Sequence, residues 1–144
     1  LALQIAITFI APYTDAANLL KLPEIGAIRT AGVAIFAISI SLMIFSAIKL
    51  GNLFSKSINV QREHRLITDG IFRFLRHPWD VGVILFGFGI SLCFLSIIAF
   101  ILSIGLAITY LWRIREEEAF MEAEFGDDWR EYKGRTKKMV PFLY

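Results

Sequence analysis

The side chains able to do chemistry are crowded into two short stretches of an otherwise apolar chain. The first, His64 to Asp80, reads H-R-L-I-T-D-G-I-F-R-F-L-R-H-P-W-D and holds both histidines together with Arg65, Arg73 and Arg76. The second, Arg113 to Glu118, reads R-I-R-E-E-E. Arg113 and Glu117 are four residues apart and share a helix face. On an exposed surface such a pair contributes only about 0.3–0.5 kcal/mol, and arginine ahead of glutamate is the weaker orientation because it opposes the helix dipole. This pair adjoins an uncharged run, where ionised groups generally face a cavity or a partner. Glu116, Glu117 and Glu118 are consecutive and point three ways, so one or two of them at most can face a site.

Several chemistries are excluded by pattern. The chain has no glycine-rich phosphate loop, no G-x-S-x-G and no nucleophile paired with a base by motif. His64 and His77 lack the short helical spacing of a metal pair, so no metal is expected. The single Cys93 excludes an internal disulfide and a cysteine zinc cluster, and its apolar surroundings suit an inert buried thiol. Basic clusters can touch nucleic acid, but beside apolar runs such cations are topology determinants or contacts to anionic lipid. Membrane lipids are therefore the expected partners, and nucleic acid is not.

The elements that position these stretches follow from charge distribution. Thr30 to Ile48 carries no charge, and neither does Val81 to Trp112; a spanning helix needs about 20 apolar residues. The expectation is an all-α fold: a polytopic integral membrane helical bundle, one domain over residues 1–144, with a C-terminal helical hairpin and short cytoplasmic tail helices. Leu1 to Ala11 reads as the end of a membrane helix stopped around Pro12, since proline cannot continue the hydrogen-bond ladder. The chain opens on Leu rather than Met, so an amino-terminal portion is expected to be missing. Ile25 to Leu50 is the clearest span, with Gly32, Ser39 and Ser46 among the small residues that let helices approach closely. The 32 residues from Val81 to Trp112 are too many for one crossing. They become two helices of about 20 residues if the first begins at Pro78, a favoured initial position, and the second runs on to Glu117. The turn should fall near Cys93 to Ser96. Gly82, Gly87 and Gly89 then serve packing, and Asp80 in a first turn favours the helix dipole. The tail helix should end at Gly126, with Asp127 or Asp128 capping a short helix that carries Trp129 and Tyr132.

Six of the fifteen Lys and Arg lie between Lys49 and Arg76 and seven between Arg113 and Lys138. With about four spans both groups fall on one face, together with both termini, and the positive-inside rule makes that face cytoplasmic. The two polar stretches meet there.

The run H-R-L-I-T-D-G-I-F-R-F-L-R-H-P-W-D-V-G, the paired glutamates, F-G-D-D-W-R-E-Y and a terminal proline, in that order, resemble the isoprenylcysteine carboxyl methyltransferase family. The wider group includes the phospholipid N-methyltransferases, and the likeness covers about residues 49 to 144. It implies a membrane enzyme that uses S-adenosylmethionine without a Rossmann domain. By the same resemblance Gln61 and the run His64, Arg65, Leu66 and Ile67 form one wall of the cofactor site. Phe72 and His77, Pro78, Trp79 and Asp80 form another, Glu117 with Glu118 faces the cofactor, and Arg113 holds the methyl acceptor; on chemical grounds, if the acceptor is a carboxylate, Arg76 is a second candidate to hold it. The family commonly has tyrosine where this chain has Phe72 and Asp80. The acceptor implied is a lipophilic small molecule or lipid, a carboxylate or a head group. A membrane sterol-type reductase using NADPH and a non-catalytic protein of the same fold are the alternatives.

Overall fold

A computed structural model describes residues 2–51 and 68–139. Its described elements are four α-helices, α1 (Ala2–Ala16), α2 (Gly26–Leu50), α3 (Pro78–Cys93) and α4 (Ile97–Arg135), with a 3₁₀ turn at Gly70–Arg73. The hairpin forms where the sequence places it. Pro78 opens α3, α3 ends at Cys93 and Ser96 caps α4 by accepting a hydrogen bond from Ala99 N at 3.1 Å.

One expectation is corrected at the amino-terminal end. Pro12 lies inside α1, which continues to Ala16. Proline removes one rung of the ladder, a cost of about 3 kcal/mol or more, but the helix beyond it is held from outside. Ile7 and Ala11 are fully buried with Val83, Ile90, Ala99 and Leu106, and the buried Thr14 Oγ1 meets Ser96 Oγ at 2.7 Å. The next turn is anchored again by the pairing of Asp15 with Lys21 at 2.7 Å and Arg29 at 3.2 Å.

Helix α3 occupies the centre, packed against α1, α2 and α4. Its approach to α2 is set by residues without bulk. Gly32, Ser39 and Ser46 are the buried residues of α2 and recur every seventh position, which keeps them on one seam. A Cβ at Gly32 would lie 2.5 Å from Cys93 N, one at Gly82 would lie 3.1 Å from Ser39 O, and one at Gly89 would lie 2.8 Å from Phe36 N. Gly87 faces the other way, towards Ser103 and Leu106 of α4. The three glycines of α3 serve packing, as expected.

The two ends of the bundle are tied differently. At one end the loop after α1 clasps the α3–α4 turn: Leu22 N donates to Leu95 O at 2.7 Å and Ile97 N to Leu20 O at 3.1 Å. Arg29 Nη1 donates to Cys93 O at 2.8 Å in the same place. At the other end lie Lys49, the start of α3 and the part of α4 beyond Trp112. There α4 runs without interruption from its apolar half into its charged half, as far as Gly126, whose φ of 50° breaks the helix where the sequence expects it. Large apolar side chains stay outside the bundle, among them Phe9, Phe45, Ile48, Ile108 and Trp112. Two of the helices, α2 and α4, are long and apolar enough to cross a membrane.

Backbone cannot yield as a flexible side chain can, so Gly89→Ala should lower stability by about 1–3 kcal/mol through overpacking. Gly134→Ala, with nothing near its added methyl, should be neutral or stabilising by up to about 1 kcal/mol. Thermal or denaturant unfolding in detergent micelles measures both.

Candidate active site

The segment 74–77 and the residues just after α4 are stitched together through their backbones. Arg76 N donates to Lys137 O at 2.9 Å and Lys137 N to Phe74 O at 3.1 Å. Tyr132 reaches across to donate its hydroxyl to Phe72 O at 2.8 Å. Burial pushes that phenol up to about 12, which keeps it a neutral donor.

Side chains from three segments meet inside this stitched region. Arg76 Nε donates to Glu118 Oε1 at 2.9 Å, His77 Nε2 lies 3.3 Å from the same oxygen, and Lys138 Nζ lies 3.0 Å from Oε2. Arg76 Nη1 donates further to Thr136 O at 2.7 Å and Lys133 O at 3.1 Å. Burial by itself would raise the Glu118 carboxyl, but hydrogen bonds from His77, Lys138 and Arg76 outweigh it and hold the group down at about 2. Glu118 is thus the counter-charge that fixes Arg76 and His77. The guanidinium of Arg76 braces the connector against the tail.

The three consecutive glutamates separate as the helical geometry requires: Glu116 is exposed, Glu117 half-buried and Glu118 buried. Glu117 faces α3. One carboxylate oxygen of Glu117, one of Asp80 and a ring nitrogen of His77 all lie within 4.8 Å of one another. Spacing along the chain hides this grouping, because Glu117 comes from α4 while Asp80 and His77 come from α3 and the residue that precedes it. Asp80 is buried, with Oδ2 3.7 Å from His77 Nδ1; among the described residues Oδ1 has no hydrogen-bond partner. Its surroundings include the charges of Glu117 and Arg113. Arg113 sets its guanidinium over the ring of Tyr110, 5.8 Å from the centroid.

The structure therefore brings His77, Asp80, Glu117 and Arg113 to one end of the α3–α4 pair. Pro78 is buried as the first residue of α3, Trp79 is half-buried beside it, and Phe72 is buried below Tyr132. Gln61, His64, Arg65, Leu66 and Ile67 lie outside the described residues. Tyr110 escaped the sequence reading because it lies within an uncharged run; its place three residues before Arg113 was the available signal. Tyr132 stood out in the sequence as the end of F-G-D-D-W-R-E-Y, but its bond to Phe72 did not, and the roles of Thr136 and Lys138 had no local signal.

These features define a helical integral membrane protein with a polarised cluster of ionisable groups where the bundle leaves the apolar region. The model of the phospholipid methyltransferase family matches residues 27–128, and the chain belongs to that family. It is 29% identical over 99 residues to a protein-S-isoprenylcysteine O-methyltransferase of Schizosaccharomyces pombe, covering 67% of this chain and 42% of that protein. It is 33% identical over 101 residues to protein-S-isoprenylcysteine O-methyltransferase B of Arabidopsis thaliana, covering 67% of this chain and 50% of that one. The chain thus spans about half the length, or less, of these relatives. Its fold is that of a solved eukaryotic intramembrane Ras methyltransferase, an isoprenylcysteine carboxyl methyltransferase, with a TM-score of 0.72 at 20% identity over 97% of this chain and 50% of that chain.

Because Glu118 is held below the ordinary glutamate value of 4.5, its contribution to stability is complete above that value. It is lost as the pH falls from about 4.5 towards about 2. Glu118→Gln should flatten the acid limb of the stability curve relative to wild type. Arg76→Ala, which removes one partner of Glu118 and leaves Lys138 and His77, should cost about 1.5–3 kcal/mol at neutral pH. Unfolding followed by circular dichroism across this range reads both.

Proposed function

We propose that the chain transfers a methyl group from S-adenosylmethionine to a lipophilic acceptor at the cytoplasmic surface of a membrane. The acceptor class we assign is a carboxylate of the isoprenylcysteine kind. The observation that carries this reading is the convergence of Glu117, Asp80 and His77 beside Arg113, where the apolar part of α4 ends. The names of the relatives support the acceptor class. The orientation rests on the excess of Lys and Arg at this end, with four crossings and a single domain.

The residues present fit the cofactor. A buried Asp80 oxygen with no hydrogen bond among the described residues and the half-buried Glu117 carboxylate are what a sulfonium cation needs for counter-charge in a site of low polarity. When bound, S-adenosylmethionine supplies an electrophilic methyl whose departure leaves the C–S electron pair on a neutral sulfur. Glu117 and Asp80 hold the cation, and Pro78 and Trp79 supply apolar wall. Arg113 aligns the acceptor carboxylate, which its planar fork can grip at two points. Tyr110 under the guanidinium limits where that fork can turn. The acceptor is already an anion, so no general base is required, and the chain contributes positioning and exclusion of water. Arg76, braced on Glu118, acts by holding the connector in place. Gln61 and His64 to Ile67 complete the proposed site.

Two substitutions separate the roles. Arg113→Ala should lower methyl transfer to a prenylated cysteine substrate by about 100-fold or more while S-adenosylmethionine still binds. Glu117→Gln should weaken cofactor binding by about tenfold, roughly 1.4 kcal/mol. Calorimetric titration and a radiolabelled methyl-transfer assay in nanodiscs measure these; full activity in Arg113→Ala would remove it from the acceptor site.

A further inference from the structure

Glu118 is matched by the cations Arg76 and Lys138, with His77 as a further partner, but the carboxylates beside it form no ion pair with Lys or Arg among the described residues. Glu117 and Asp80 approach one another, and the nearest basic group to Asp80 among the described residues is the His77 ring, with Nδ1 3.7 Å from Oδ2. His77 is already shared with Glu118 through Nε2. Asp80 is only 6% exposed, and its Oδ1 has no hydrogen bond among the described residues. Arg113 contributes charge to this region but forms no ion pair there among the described residues. Two like charges this close oppose each other's ionisation, and an unsatisfied buried carboxylate oxygen is costly. A cation placed between them offsets the repulsion and compensates the bare oxygen by its charge; a neutral thioether, which has no hydrogen to donate, does neither.

We infer that Asp80 is a charge-selecting residue, which together with Glu117 makes the site hold the sulfonium form of the cofactor and release the neutral thioether left after transfer. The inference rests on the cofactor assignment proposed above. Methyl transfer removes one positive charge from the donor, because the C–S bond breaks with both electrons on sulfur and the methyl carbon bonds to the acceptor oxygen. The carboxylate pair loses its counter-ion at that moment. Product release is thereby favoured by the same two side chains that favour binding of the donor.

The test uses the full chain in detergent or nanodiscs with EDTA present. Three probes are titrated calorimetrically: S-adenosylmethionine, sinefungin, which carries an ammonium where the sulfonium stands, and S-adenosylhomocysteine, which is neutral there. Wild type should bind the two cations at least tenfold more tightly than the neutral product. Asp80→Asn should lose about tenfold for the cations and less than twofold for the product, and Asp80→Glu should keep the preference. Equal loss for all three probes in Asp80→Asn would make Asp80 a structural residue and overturn the inference. If that variant does not fold, the wild-type ratio decides: S-adenosylhomocysteine binding as tightly as S-adenosylmethionine overturns it. A preference for the cations that appears only when EDTA is omitted would assign the counter-charge to a divalent ion and overturn it as well. Failure of wild type to bind any of the three would instead overturn the cofactor assignment itself.

Discussion

The arrangement depends on one buried carboxylate. Glu118 receives Arg76, His77 and Lys138, and those four residues belong to the connector, α4 and the segment that follows α4. A buried charge is tolerable only when paired and fully hydrogen-bonded, so the three segments must close together or not at all. Once they close, His77 has a fixed ring and the first turn of α3 has a fixed start. Asp80, one turn further along, then takes its place opposite Glu117. The site-forming groups are thus placed by a neighbour that is itself neutralised.

The rest of the bundle supplies the rigidity that this closure needs. In hydrocarbon the backbone must satisfy its own hydrogen bonds, which restricts the spanning parts to helices, and helices there gain from close approach more than from apolar burial. The seam of Gly32, Ser39 and Ser46 against Gly82 and Gly89 allows that approach. The clasp of Leu20 and Leu22 on the α3–α4 turn fixes the far end. Both ends of α3 and the start of α4 are therefore held independently of the site.

How much of this the sequence revealed depended on whether the signal was local. Uncharged run lengths gave α2 and the hairpin, Pro78 gave the start of α3, and Gly126 gave the break in α4, because each reflects a backbone or burial rule that acts within a few residues. Pro12 misled, since the rule it invokes was overridden by contacts of Ile7, Ala11 and Thr14 with distant residues. The partition of Glu116, Glu117 and Glu118 into exposed, facing and buried followed from helical geometry in kind but not in assignment. Which one met Arg76 depended on a partner 42 positions earlier in the chain. The convergence of His77 and Asp80 with Glu117 was hidden for the same reason.

The uninterrupted course of α4 from Ser96 to the glutamates gives the protein a built-in sensitivity to the thickness of its surroundings. The distance from the clasped turn to Arg113 is set by helical rise at about 25 Å, and a rod of fixed length can match a thicker or thinner lipid only by leaning or by deforming the lipid. Leaning would carry Arg113 and Glu117 to a different depth among the head groups. Acyl-chain length is therefore a physical variable to which this end of the molecule responds, through one rigid helix.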